Sequence, residues 1–99
     1  MSDEVAVVAK VVADPVRLRI LQLLAREQLC TCHLQEELGA KQTLVSHHLR
    51  ALREAGVVEA EPHGRYSYYR LVPGALDGLT GVLGAVADSA RDLPARRGC

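Results

Sequence analysis

The sequence contains no Phe and no Trp, and its three aromatic residues are all Tyr. The core must therefore be built from aliphatic side chains, which supply most of the 48% hydrophobic residues. A chain of 99 residues is expected to form one domain. Because a domain this short leaves much apolar surface uncovered, we expect it to associate with a second copy.

Long apolar runs and net charge are also absent. No stretch approaches the roughly 20 apolar residues that a membrane-spanning helix requires. The N-terminal segment MSDEVAVVAK begins with acidic residues, unlike a secretory signal. Twelve basic residues balance twelve acidic ones, so overall charge gives no support for a nucleic-acid partner. We expect a cytoplasmic protein with no membrane partner.

Cysteine is scarce and odd in number, with Cys30, Cys32 and Cys99 as its only examples. The cytoplasm keeps thiols reduced, and an odd count that includes a Cys-x-Cys pair is unlike a structural disulfide framework. From the residues alone, Cys30 is interpreted as a small buried hydrophobe and Cys32 as a surface thiol.

Apolar residues at helical spacing predict four successive helices in the first half of the chain. The first ends near Ala13, and the second begins with Asp14 as N-cap and Pro15 in its first turn. The leucines of the second helix lie nearly all round it, which predicts burial on most sides. After a short connection with some extended structure, the third helix is expected to begin at Thr31 as N-cap and end at Gly39.

The stretch from Gln42 to Gly56 is the predicted recognition helix of a helix-turn-helix. The residues that gather on one face of a helical wheel, and are expected in the core, are Leu44, Val45, Leu49 and Leu52. The opposite face carries small polar side chains that can reach phosphates or base edges in the major groove of DNA. The predicted DNA contacts here are Lys41, Gln42, Thr43, Ser46, His47 and Arg50.

Two histidines of this helix receive different predictions. His47 faces outward, whereas His48 lies beside the apolar face, so we expect His48 to be partly buried and hydrogen-bonded. Ser46, His47 and an acid could form a triad on paper, but adjacent residues on a helix diverge and no acid is well placed. The chain is therefore not expected to be an enzyme.

Two β-prone segments, 57–61 and 65–71, flank the turn sequence Pro62-His63-Gly64 and predict a β-hairpin. After a helix-turn-helix, such a hairpin is a wing. Its tip offers His63 and Arg65 to phosphates or the minor groove, although a solvated turn would also explain Arg65. Tyr69 and Leu71 share the face that we expect to pack inward.

The last helix is predicted to begin at Pro73, and its apolar residues recur at steps of three and four, as in a helix that pairs with another helix. The predicted fold is mainly α with a small β-hairpin, a homodimeric winged helix-turn-helix of order α-α-α-α-β-β-α. It occupies residues 1–92, and residues 93–99 are expected to form a flexible tail. The predicted dimer interface, from the first and last helices, comprises Val5, Val8, Val12, Leu76, Leu79, Leu83 and Val86.

Three segments together resemble the ArsR/SmtB family of winged-helix repressors. They are ADPVRLRIL at 13–21, VSHHLRALREAGVV at 45–58, and Gly64-Arg65 with Tyr69-Arg70-Leu71. The resemblance covers roughly residues 5–90. It implies a homodimeric transcriptional repressor that binds double-stranded operator DNA and releases it when a metal or metalloid binds. The phrase LCTCHL at 29–34 further resembles the arsenical-sensing branch, which implies As(III) or Sb(III) as inducer at Cys30 and Cys32.

The ligand set stays open at this point. Cys30 and Cys32 can chelate one ion only where the backbone is irregular, since alternate side chains diverge in a helix or strand. Cys99, His33 or an external thiol could supply a third ligand. The last helix has no His, so the zinc site that other family members build between their final helices does not carry over.

Three alternatives follow from the same residues. Soft thiolates also accept Zn(II), Cd(II) or Cu(I), so the same fold could sense another ion such as nickel, zinc or cadmium. It could instead sense oxidants through its thiols. In a different class, the last helix could serve a protein-interaction module with no DNA role.

Overall fold

Residues 3–99 are described by a computed structural model, and they form five α-helices and three short strands. The helices are α1 (Asp3–Val12), α2 (Pro15–Leu24), α3 (Thr31–Leu38), α4 (Gln42–Glu54) and α5 (Asp77–Ser89). The strands are β1 (Leu29–Cys30), β2 (Val58–His63) and β3 (Tyr66–Leu71), and a 3-10 turn, Ala90–Asp92, follows α5. Residues 1 and 2 of the predicted domain lie outside the described residues.

The start of α2 agrees with its prediction. The Asp14 side chain accepts hydrogen bonds from the backbone N–H groups of Val16 and Arg17, at 2.8 and 3.0 Å. These bonds stabilise the carboxylate, the bond from Arg17 most, and they lower the pKa of Asp14. Pro15 occupies the first helical position, where its missing N–H costs nothing.

The start of α3 differs from its prediction. Cys30, with φ −86° and ψ 171°, is the N-cap, and Thr31 is already helical. The reason is β1, which the predicted element order lacks: Leu29 pairs with Tyr69 and Cys30 with Tyr68, so extended backbone runs through Cys30. At its other end α3 finishes as predicted.

The turn of the hairpin is shorter than predicted and consists of Gly64-Arg65. His63 pairs with Tyr66, while Pro62 lies inside β2 opposite Ser67. The strand order is β1-β3-β2, so β2 is an edge strand, where a proline removes no inter-strand hydrogen bond on its free side. Gly64 adopts φ 63°, which an L-residue with a side chain rarely accepts.

The core lies between α2, α3, α4 and the base of the sheet. Tyr69 and Leu71 pack against it, as predicted. Two predictions were wrong: Leu18 and Leu44, expected to be buried, are 50% and 45% exposed. The fully buried large side chains are Ile20, Leu34, Val45, Leu49, Leu52 and Val57.

Helix α5 begins at Asp77 rather than Pro73, because residues 73–76 form turns and Gly74 adopts φ 82°. None of its residues is buried. The residues of the predicted dimer interface therefore fall into two groups, one packed within the chain and one exposed. Val8 belongs to the core of its own chain, and Val12, Leu76 and Leu79 pack against that core. Leu83 and Val86 remain 57% and 65% exposed. Among residues 3–99, no helix combines the length and apolarity needed to cross a membrane.

Candidate nucleic-acid interface and cysteine site

The polar face of α4 is exposed along its whole length. Lys41 is the N-cap of the helix, with extended backbone, and the helix then presents a row of short polar side chains. The predicted contacts on and before this helix, all exposed, are Lys41, Gln42, Thr43, Ser46, His47 and Arg50. The opposite face is anchored by Val45, Leu49 and Leu52. The helix therefore presents a polar surface on one side while its other side packs into the core.

A side-chain hydrogen bond connects α4 with α2. His48 is buried on α4, and its Nδ1 accepts a hydrogen bond from Nε of Arg17 on α2, at 3.0 Å. An acceptor at Nδ1 requires that this nitrogen carry no proton. Burial lowers the pKa of His48, while Asp14 acts in the opposite direction and Arg17 and His47 lower it further. The predicted buried, hydrogen-bonded histidine is confirmed.

Charges on the wing largely cancel one another. Arg70 on β3 bonds to Glu59 through Nε at 2.6 Å and to Glu61 through Nη1 at 3.2 Å. His63 lies 3.9 Å from Glu61 and stacks edge-on against Tyr68. Among the described residues, Arg65 at the tip forms no ion pair. Of the two predicted wing contacts, Arg65 is therefore the freer, and His63 is held within the hairpin.

A cleft of about 470 Å³ separates α4 from β3. We call it the wing cleft, and its lining residues are Ser46, Arg50, Arg53, Glu54 and Tyr69. Sequence reasoning included Ser46 and Arg50 but missed Arg53. The signal was available, because Ser46, Arg50 and Arg53 are spaced by four and three residues and so share one side of a helix.

The cysteine site lies at the junction of β1 and α3. Cys30 is buried, whereas Cys32, two residues into α3, is exposed. The backbone N–H of Cys30 donates to Nδ1 of His33 at 3.2 Å, and Sγ of Cys30 lies 3.3 Å from the same nitrogen. His33 also meets Tyr68 edge-on. Cys30 is thus placed against both the first turn of α3 and the wing.

Of the candidate ligands Cys30, Cys32, His33 and Cys99, all among the described residues, only the Cys30 and His33 side chains are in contact with each other. Within residues 3–99, no group of three or more His, Cys, Asp or Glu side chains is arranged to hold a metal ion. Cys99 is exposed at the end of residues 93–99, which contain no helix or strand. A three-coordinate site would therefore require movement of the chain or a ligand from outside it.

Known proteins are similar to this chain in sequence. The chain is 39% identical over 71 residues to an uncharacterized HTH-type transcriptional regulator of Methanocaldococcus jannaschii, covering 71% of this chain and 80% of that protein. It is 39% identical over 84 residues to an arsenic resistance transcriptional regulator of Pseudomonas putida, covering 84% of this chain and 66% of that one. Residues 14–60 match the family described as bacterial regulatory protein, arsR family. The chain belongs to the ArsR family.

A solved structure of a possible ArsR-family transcriptional regulator supports the fold as well. A homodimeric winged helix-turn-helix DNA-binding domain from Mycobacterium bovis superposes with a TM-score of 0.72 at 32% identity, covering 97% of this chain and 89% of that one. The predicted winged helix-turn-helix fold is confirmed. As an ArsR-family member the protein is a DNA-binding transcription regulator and not an enzyme. The roles of individual residues stay predictions.

Proposed function

We propose that the protein is a cytoplasmic homodimeric repressor that releases operator DNA when As(III) or Sb(III) binds Cys30 and Cys32. The observation that supports this most is the position of Cys30. It is the N-cap of α3 with extended backbone, and only Cys32 is helical. Irregular backbone between the two cysteines is what a single ion needs if both sulfurs are to reach it.

The donor set suits a soft ion. Thiolate sulfurs favour thiophilic ions, and the relative from Pseudomonas putida is named for arsenic resistance. Cys30 is buried and Cys32 exposed, so an ion that binds both must reach one sulfur inside the fold and one at its surface. A third ligand would come from Cys99, His33 or an external thiol.

Movement at Cys30 would be felt at the DNA-binding surface. Cys30 pairs with Tyr68 of β3, and α3 packs against both α4 and β3. Distortion of the first turn of α3 would therefore shift the recognition helix relative to the wing. Coupling between two such sites typically amounts to about 1–3 kcal/mol, which is roughly a 5- to 150-fold change in DNA affinity.

The exposed part of α5 supports the homodimer. Val82, Leu83 and Val86 are 36%, 57% and 65% exposed, and a cleft of about 600 Å³ beside α1 adjoins the start of the helix. An apolar helix face of this kind requires cover from another molecule. A second copy would supply it and would offer two α4 helices to successive turns of a DNA duplex.

The Cys30–His33 contact favours one alternative inducer. Sγ and Nδ1 lie 3.3 Å apart, close to the separation of two ligands that share one ion at bond lengths of about 2.0–2.3 Å. Zinc, cadmium or nickel would accept this sulfur and nitrogen pair. Such an ion would take the Nδ1 lone pair from the Cys30 N–H and would loosen the start of α3.

DNA release measured with cysteine variants tests the proposal. Fluorescence anisotropy with the DNA upstream of the protein's own gene is titrated with As(III), Sb(III), Zn(II), Cd(II) and Ni(II). The wild type should release DNA with As(III) or Sb(III), whereas Cys30→Ser and Cys32→Ser should stay bound. Cys99→Ser is a separate probe, because loss of the response in this variant would identify the tail as the source of the third ligand.

Two results would contradict the proposal. Release by As(III) in the Cys30→Ser/Cys32→Ser double variant would exclude thiol ligation at this site. Release by zinc, cadmium or nickel alone, with loss of the response in His33→Ala, would favour the sulfur and nitrogen alternative. A protein that is monomeric in sedimentation at micromolar concentration would exclude the homodimer.

A further inference from the structure

The wing cleft presents an unbalanced positive charge. Arg50 and Arg53 line it together with the single carboxylate of Glu54. Among the described residues, neither arginine forms an ion pair, including with Glu54. By contrast, Arg70 on the wing is fully engaged by Glu59 and Glu61. Two arginines without a protein partner, facing the same cleft, leave it with an excess of hydrogen-bond donors.

The remaining walls of the cleft suit an anion equally well. Ser46 contributes a hydroxyl group from α4, and Tyr69 lines the cleft from β3. Tyr69 also packs against the core, so this wall is anchored. Arginine side chains bind phosphate oxygens through two parallel N–H groups, and hydroxyls are common additional donors.

The position of the cleft identifies the source of the anion. A helix about 10–12 Å wide fills a major groove about 12 Å wide, so its two flanks lie beside the two phosphate backbones. Ser46, Arg50 and Arg53 form a stripe about 120° around α4 from the buried face, on the flank toward β3. A duplex that accepts α4 would therefore pass one backbone between this flank and the wing.

We propose that the wing cleft binds one backbone phosphate of DNA in each subunit, with Arg53 as a contact that adds to Arg50. This inference rests on the proposed DNA-binding role of α4. The contact carries no sequence information of its own. It fixes how deeply α4 enters the groove and how the wing lies beside it.

The salt dependence of DNA binding tests Arg53. Arg53→Gln should weaken binding about tenfold at 0.1 M KCl, and by the same factor on operator and unrelated DNA. The slope of log K against log [KCl] should become less steep by about one for each bound subunit. Arg53→Lys keeps the charge and should restore the slope while recovering only part of the affinity.

Arg26→Gln is the matched control for charge. Arg26 is exposed and lies just before β1, at the end of the sheet away from the wing tip. This variant removes the same charge from the chain but should leave the salt slope unchanged.

Methylphosphonate DNA locates the contact. Each phosphate of the bound site is replaced in turn by a neutral methylphosphonate, and binding is measured with wild type and Arg53→Gln. One position in each half-site should weaken wild-type binding but have little further effect on the variant, since both changes remove the same interaction.

The outcomes separate this proposal from the proposed function. If wild type binds DNA but Arg53→Gln keeps the wild-type slope and methylphosphonate profile, the phosphate site is wrong and the DNA-binding role stands. If wild type binds neither its upstream DNA nor unrelated DNA at low salt, both are wrong. Circular dichroism of Arg53→Gln should match wild type, because the side chain is exposed.

Discussion

Helices α4 and α5 are both amphipathic, but only the apolar face of α4 is covered by other parts of the same chain. On α4, Val45, Leu49 and Leu52 are at most 1% exposed. On α5, Leu83 and Val86 are more than half exposed, although they have the same helical spacing. The difference teaches that a periodic apolar pattern indicates a helix face that must be buried. Whether that face packs against its own chain or against a partner depends on the rest of the fold.

The largest effect is expected in the core. Leu52→Ala should lower the free energy of unfolding by about 2–5 kcal/mol, because the side chain is 0% exposed and its loss leaves a cavity. Urea denaturation at fixed protein concentration measures this. A loss below about 1 kcal/mol would mean that the burial of Leu52 does not anchor α4, and the contrast between the buried face of α4 and the exposed face of α5 would not hold.

A smaller effect is expected at the exposed end of α5. Leu83→Asp should raise the dimer dissociation constant at least about tenfold, since two-fold symmetry places the new charge twice in the interface. Sedimentation velocity across a concentration series measures the change. Leu93→Asp is the matched control, since Leu93 is 72% exposed after α5. Equal behaviour of the two variants would argue against an interface at Leu83.

The pH dependence of stability probes how α4 is held. Burial lowers the pKa of His48 below its ordinary value of about 6.5, so the unfolded chain binds a proton more readily than the folded one. The stability due to neutral His48 is complete above that value. It is lost as pH falls toward the lowered pKa, where protonation also opposes the bond from Arg17.

His48→Gln removes this proton binding but keeps a hydrogen-bond acceptor for Arg17. Urea denaturation between pH 7.5 and 5 should therefore give a shallower loss of stability in His48→Gln than in wild type. His47→Gln, on the exposed side of α4, removes only the smallest of the contributions to the lowered pKa of His48, so its pH curve should stay close to that of the wild type. Identical pH curves for His48→Gln and His47→Gln would exclude the Arg17–His48 bond as the source.

The smallest effect is expected at Leu44. The sequence pattern places it with the core residues of α4, yet it is 45% exposed. Leu44→Ala should change the free energy of unfolding by no more than about 0.5 kcal/mol, measured beside Leu52→Ala. A loss as large as that of Leu52→Ala would restore the predicted core position.

Local signals predicted much of the fold correctly. The Asp14-Pro15 start of α2, the left-handed Gly39 and the glycine turn of the wing each depend on residues within a few positions of one another. The burial of His48 followed from its place beside an apolar stripe. Such features require no knowledge of distant parts of the chain.

The errors arose where distant segments decide the structure. Strand β1 exists because β3 pairs with it, and this pairing moves the N-cap of α3 from Thr31 to Cys30. Leu44 lies at the margin of the buried arc of α4, where the position of neighbouring elements decides exposure. The spacing of Arg53 from Ser46 and Arg50 is visible in the sequence, but its place in one cleft with Tyr69 of β3 depends on the fold.

The ion pairs of Arg70 have a consequence for nonspecific binding to chromosomal DNA. A hairpin that neutralises Arg70 and leaves only Arg65 unpaired among residues 58–71, in a chain of zero formal charge, gains little from arbitrary stretches of duplex. Nonspecific genomic sites vastly outnumber any operator, so weak general attraction keeps copies of the regulator free to search. Loss of both Glu59 and Glu61 would leave Arg70 without a carboxylate partner on each wing and should strengthen binding to unrelated DNA.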